Sequence, residues 1–193
     1  MLKTKLFLQY LGEIYQHFEK LGLSDDTLLV IISDHSISIG EKIGERAYGV
    51  FCYDTTLIST ALFCSPKINS ITIPNQVRSI DILPTILELL SISHDTNFKK
   101  IDGESLLSLM NGKNKSRVAF SQSGNPLDTG KPPKEPNVYS VRTDDWKYIK
   151  NIHNDSEELY DLNQDINEHN NLIEHESSKA TEMRSLMDEI LNS

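Results

Sequence analysis

Apolar runs that alternate with amphipathic stretches put this chain in the α/β class: a mostly parallel sheet flanked by helices, with a small carboxyl-terminal antiparallel sheet and helix. Three observations carry that reading. The run "TLLVIIS" (27–33) is apolar at successive positions, as a strand buried on both faces must be. It lies between two helical stripes, Leu11, Ile14, Tyr15 and Phe18 before it and Ile82, Ile86, Leu89 and Leu90 after it. Beyond Gly112 the texture changes to short alternating runs rich in aromatic and β-branched residues, which suit antiparallel pairing. The boundaries that follow are an α/β layer over residues 1–115 and a small α+β layer over 116–193.

The elements follow in order. The opening stretch to Leu23 is expected to form a core-facing helix that stops near Gly22. After the strand at 27–33 comes a glycine-bearing loop from Ser36 to Gly49, then a second strand in "STALFCS" (59–65). "SIDILPTILELLSI" (79–92) reads as a helix with Ser79 or Asp81 as its cap. Pro84 falls in the first turn, where a missing N–H costs little. A short helix in "ESLLSLM" (104–110) stops at Asn111-Gly112. "GNPLDTGKPPKEPN" (124–137) has four prolines and two glycines, so it is an exposed loop. "VYSVRTDDWKYIKNI" and "EELYDL" are strands of the antiparallel sheet, and Met183, Leu186, Met187 and Ile190 line a final helix from about Ser177 to Leu191.

Composition narrows the function. With 28 acidic and 19 basic residues the formal charge is -9, so a sequence-independent grip on nucleic acid or on an anionic membrane is not expected. The opening helix has Gln9, Glu13, Gln16, His17 and Glu19 inside its apolar pattern, which fits neither a signal peptide nor a membrane span. Two cysteines, Cys52 and Cys64, are too few for a disulfide framework, and a reducing, cytoplasmic setting is the expectation.

The strand at 27–33 ends on Ser33, Asp34 and His35, and ligands of α/β folds collect outside the carboxyl ends of strands. A carboxylate and an imidazole there are two ready metal ligands. A bare Asp-His pair more commonly just caps a loop. The order of phrases along the chain favours the metal reading. "TLLVIISDHSISIGE", "VRSIDILPTILELLSI", "IDGESLLSLMNG" and "YSVRTDDWKYIKN…EELYDLNQDINEHNNL" together resemble the carboxyl-terminal half of the sulfatase family, within the alkaline phosphatase superfamily, over roughly residues 5–175.

That resemblance implies an alkaline phosphatase-like fold, metal-dependent hydrolysis of a small anionic sulfate ester in the complete protein, and Asp34 and His35 as ligands of a divalent ion. Calcium is the first expectation, with manganese or zinc as alternatives because an imidazole admits them. The family also places a cation from the following loop on the ester oxygens, and Lys42 and Arg46 are the candidates. Ser36 stands where the family has glycine, so a positive φ there would be strained. The family's nucleophile setting, Cys/Ser-x-Pro-x-Arg, is not among these 193 residues. "CSPKI" (64–68) ends in Ile68 and follows the metal loop, so Cys64 reads as a small packed hydrophobe. His94, His153, His169 and His175 read as exposed, and Trp146 and Tyr148 as core. Two other readings stay open: a phosphodiester or phosphonate ester hydrolase, and a non-catalytic remnant or subunit. Either the amino-terminal half of the family pattern or a second copy of the chain is the expected partner.

Overall fold

The carboxyl-terminal sheet is built by strict alternation. In the computed structural model, which describes residues 2–45, 47–93, 101–113, 115–126, 131 and 133–192, strands β3 (Ala119–Ser123), β4 (Val138–Arg142), β5 (Trp146–Asn151) and β6 (Ser156–Asp161) pair antiparallel in the order β3-β4-β5-β6. The register pairs Val141 with Tyr148 and Tyr148 with Leu159, so these three share one face, packed on Ala180, Met183 and Met187 of helix α5 (Ser177–Leu191). One residue along, Val138, Ile149 and Tyr160 face the other way. They form a second core with Leu162 and Cys52, flanked by Tyr53 and Leu57 from the amino-terminal layer. Strand residues of period 2 are thus buried on both sides, which explains why "WKYIKN" carries so few exposed positions. The sequence pattern does not announce β3, because "AFSQS" is largely small and polar.

The amino-terminal layer contains helix α1 (Leu2–Lys20), strand β1 (Leu29–Ile32), helix α2 (Asp54–Leu57), strand β2 (Ala61–Cys64), helix α3 (Ile82–Leu89) and helix α4 (Leu107–Met110). The carboxyl-terminal antiparallel sheet with its helix stands, but among the described strands parallel pairing does not occur. β1 and β2 run antiparallel, with Leu29 opposite Cys64 and Ile32 opposite Ala61. A parallel return needs a crossover helix lying across the sheet. The connection here offers only four-residue α2, and α2 packs against the carboxyl-terminal sheet instead.

Two further expectations are corrected. Helix α1 is not core-facing: Ile14 and Tyr15 are exposed, and no described element packs along it beyond marginal contact. Asp81 occupies the cap position of α3 without capping it. Its buried carboxylate is drawn aside by Arg78, by Arg117 at 2.7 Å and by the Glu104 N–H at 2.9 Å. The first turn is held by Thr85 instead, whose hydroxyl donates to the Asp81 carbonyl at 2.6 Å and accepts the Leu106 N–H at 2.9 Å. That joins α3 to the segment leading into α4. Gly103 has no room for a side chain, since a β-carbon would lie 1.9 Å from the Ile80 carbonyl oxygen.

Candidate metal pair and its support

The end of β1 is fixed by reciprocal bonds before the loop departs. The Ser33 N–H donates to the Thr60 carbonyl at 2.9 Å, and the Ser33 hydroxyl accepts the Thr60 N–H at 2.8 Å. Asp34 then turns out to solvent, 87% exposed, and its Oδ1 accepts the His35 N–H at 2.9 Å. His35 Nδ1 lies 2.7 Å from the Ser36 carbonyl oxygen, a contact that only a proton on Nδ1 satisfies. The lone pair of the neutral ring is therefore on Nε2, which faces Asp34 Oδ2 at 3.5 Å. Two acceptors turned on one point repel unless a proton or a cation sits between them. Ligand atoms sharing one divalent ion at roughly 2.0–2.5 Å lie roughly 3–3.5 Å apart, so the spacing fits a shared cation. The ring is also held edge-on by Tyr48, with centroids 5.7 Å apart. Among the described residues no third His, Cys, Asp or Glu joins them.

The loop beyond the pair is wired from within. Glu41 accepts the Ile39 N–H at 2.7 Å and the Ser38 hydroxyl at 3.1 Å, and its pKa is lowered by its own backbone N–H first and then by these bonds. Glu45 accepts the Val50 N–H at 2.7 Å. Ser36 does not have a positive φ, so the strain expected there is absent; its N–H donates to the Thr56 carbonyl at 3.1 Å. A left-handed backbone falls instead at Cys52 (φ 61°), part of the second core, where burial pushes its thiol up to about 11. Gly49 is required by contact as well as by its φ of 77°, because a β-carbon would meet the Thr56 hydroxyl at 2.4 Å.

Lys42 is not brought to the metal pair. It is buried, its ammonium donates to the Glu168 carbonyl, and it sits 4.6 Å from the Tyr53 ring centroid and 5.1 Å from that of Tyr160. Burial lowers its pKa against the pull of Glu168 and Glu158. Arg46 and His94 lie outside the described residues. Cys64, the last residue of β2, is half-buried, while His153, His169 and His175 are exposed. Tyr148 is core as expected, and Trp146 packs partly buried beside it.

Sequence reasoning missed the cluster under the loop. The register sets Arg142, Lys147 and Tyr160 in a row across the sheet. Lys147, with no exposed surface, lies 2.6 Å from Asp54 Oδ1 and 2.6 Å from Glu168 Oε1. Arg142 Nε donates to Asp54 Oδ2 at 2.9 Å, and the Asp54 N–H donates to Glu168 Oε2 at 3.0 Å. Burial raises the Asp54 carboxyl, yet Lys147 and Arg142 outweigh it and the net shift is downward. At Glu168 burial, helped by Asp54, prevails over Lys147, and the net shift is upward. The available signal was alternation in "WKYIKN", which puts Lys147 on the same face as Ile149. The metal pair and Arg142 also border one cleft of about 1310 Å³ between the two layers, larger than a typical small-ligand pocket.

A family model described as N-sulphoglucosamine sulphohydrolase, C-terminal, matches residues 50–193. The chain belongs to this family. Arylsulfatase K of Mus musculus is 29% identical over 170 residues, covering 84% of this chain and 30% of that protein. A 2-O GAG sulfatase structure superposes with a TM-score of 0.71 at 23% identity, covering 86% of this chain and 36% of the other. The phosphonate monoester hydrolase of Agrobacterium radiobacter gives 0.67 at 20% identity, covering 94% and 38%. This member of the sulphohydrolase C-terminal family thus spans about 30% of the length of such a relative.

Proposed function

We propose that the chain is the metal-pair-bearing part of a sulfuric ester hydrolase, and that Asp34 and His35 hold one side of a divalent ion's shell. The carrying observation is the 3.5 Å approach of His35 Nε2 to Asp34 Oδ2, with Nδ1 already committed to the Ser36 carbonyl. Such a partner on the second ring nitrogen is the usual companion of a metal-ligating histidine. A bound ion would supply Lewis acidity to a sulfate oxygen. Calcium is the proposed ion, with manganese or zinc as the alternatives that imidazole admits. Arg46 is the proposed cation on the ester oxygens, whereas Lys42 serves the loop. The nucleophile comes from residues outside these 193, because "CSPKI" lacks the arginine and the Cys52 thiol is buried and protonated at neutral pH.

An imidazole in the second position, together with the likeness to a phosphonate monoester hydrolase, supports phosphonate or phosphodiester cleavage as a second reading. Calorimetry with calcium and manganese on the wild type and on Asp34→Ala tests the pair. Weak binding that vanishes in the variant is expected, since most of the shell is left to water. Binding undiminished by Asp34→Ala would put the ion elsewhere. With nitrophenyl sulfate and nitrophenyl phosphate the chain alone should show no metal-dependent turnover.

A further inference from the structure

Glu168 touches the loop that follows the metal pair at two separated points. It lies in the turn after β6, is 1% exposed, and has a φ of 57°, a left-handed backbone in which a residue with a β-carbon is strained. Its carbonyl accepts the Lys42 ammonium in the middle of the loop, and its carboxylate accepts the Asp54 N–H at the loop's far end. Lys147 anchors the same carboxylate to the centre of the sheet. From Asp54 the connection continues through α2: the Thr56 carbonyl accepts the Ser36 N–H at 3.1 Å, and the Ser36 carbonyl in turn receives His35 Nδ1 at 2.7 Å. A route of hydrogen bonds and one short helix therefore runs from the four-stranded sheet to the imidazole.

We propose that Glu168 is a positioning residue for the Asp34–His35 pair, acting through Lys42, Asp54 and Ser36. The inference rests on the reading that this pair holds a divalent cation. A residue needed only to close its own turn would have no use for a buried carboxylate facing another segment. Glu168 places its carbonyl and its carboxylate on one loop, while the turn is closed separately by Asp165, whose carboxylate accepts the Asn170 N–H at 2.7 Å and whose carbonyl accepts the Glu168 N–H at 3.1 Å.

The test uses the full chain, with manganese affinity read by electron spin resonance and exchange of the Ser36 amide read by NMR in metal-free buffer. Glu168→Gln keeps the shape and removes the charge. Lys42→Met leaves Glu168 in place and cuts one of its two holds. Met183→Ala, on the opposite face of the sheet, is the control for general destabilisation. Both loop variants are expected to weaken manganese binding on the order of 5- to 10-fold, at or below the lower end of what outer partners of metal ligands contribute. Both should also speed Ser36 exchange, while Met183→Ala lowers the melting temperature and leaves these two readouts in place. Glu168→Gln and Lys42→Met with unchanged Ser36 exchange and affinity would overturn the coupling, as would Met183→Ala moving both as far. A wild type without Asp34-dependent manganese binding would instead sink the metal reading, and this role with it.

Discussion

The two layers differ in what their apolar residues face. In the carboxyl-terminal layer both sides of one sheet are covered: Tyr148 and Leu159 beneath α5, and Ile149 and Tyr160 beneath the segment around Cys52. In the amino-terminal layer α1 and the β1–β2 pair expose Leu8, Ile14, Ile32 and Leu62, and the loop after β1 exposes Ile39 and Ile43. The same kind of residue is core in one region and surface in the other. What decides is whether a second element reaches across, and amphipathic period alone does not supply that element. The Asp54–Lys147–Glu168 cluster ties the loop after β1 to the covered layer, joined by Arg142 on Asp54, by the Tyr53 hydroxyl on Glu158 and by the apolar side chains beside them.

The largest effect should come from that joint. Lys147→Met leaves Asp54 and Glu168 buried without their ammonium, and breaking a buried pair in this way costs about 3–5 kcal/mol. Urea denaturation followed by tryptophan fluorescence measures it, because Trp146 adjoins the site. A loss under about 1 kcal/mol would mean that water reaches the carboxylates and that the layers are joined more loosely than described.

Next comes the contrast itself. Leu159→Ala opens a cavity in the covered core and should cost about 2–5 kcal/mol. Ile14→Ala on α1 should change stability by less than about 0.5 kcal/mol by the same melt. Equal losses would show that α1 is packed in solution.

These contrasts mark how far the sequence could be read. Helix α5 falls at Ser177–Leu191, where the Met183, Leu186, Met187 and Ile190 stripe puts it, because local period and tertiary burial agree there. The hairpin strands β4 to β6 were legible for the same reason. The antiparallel pairing of β1 with β2 was not, since apolar content reports burial and is silent on strand direction. The Asp34–His35 pair could be singled out as a candidate because its two side chains are adjacent in the chain. Glu168, Lys147 and Asp54 could not, since sequence spacing says nothing about three charges that meet only after the sheet has formed.

A smaller effect separates the layers by pH. Burial alone would raise Asp81, but bonds from Arg78, the Glu104 N–H and Arg117 bring it below the ordinary aspartate value of 3.8. A carboxylate with a depressed folded pKa contributes stability above the unfolded value, and that contribution is lost as pH falls through it. Asp81→Asn should therefore cost about 1–3 kcal/mol at pH 7. The gap to wild type should narrow as pH falls below 3.8, as it should for Asp54, which shifts in the same direction. Glu168 has the opposite sign: its folded pKa is raised, so the stability it contributes in the protonated form is lost as pH rises through that pKa. Melts of the wild type and of Asp81→Asn between pH 3 and 7 check the first sign, and a gap independent of pH would contradict it.

The smallest expected change in folding stability is the one that tests what the exposed layer does. Ile43 and Ile39 are fully or almost fully exposed on a loop held by Glu41 and Glu45, so the loop cannot tuck them away without breaking those bonds. Replacing both with serine should alter the melting free energy by less than about 0.5 kcal/mol, as for surface positions elsewhere. Association is another matter, because contiguous exposed apolar surface is what a second chain covers. Sedimentation velocity over a concentration series should show the wild type self-associating, and Ile14→Ser on α1 should weaken that association more than the Ile39/Ile43 pair does. Helix α1 presents a longer apolar face in Leu8, Ile14 and Tyr15 than the loop tip can. If both variants sediment as the wild type does, self-association uses neither surface. If the loop pair has the stronger effect, the contact lies beside the metal pair, and association and metal binding should then compete.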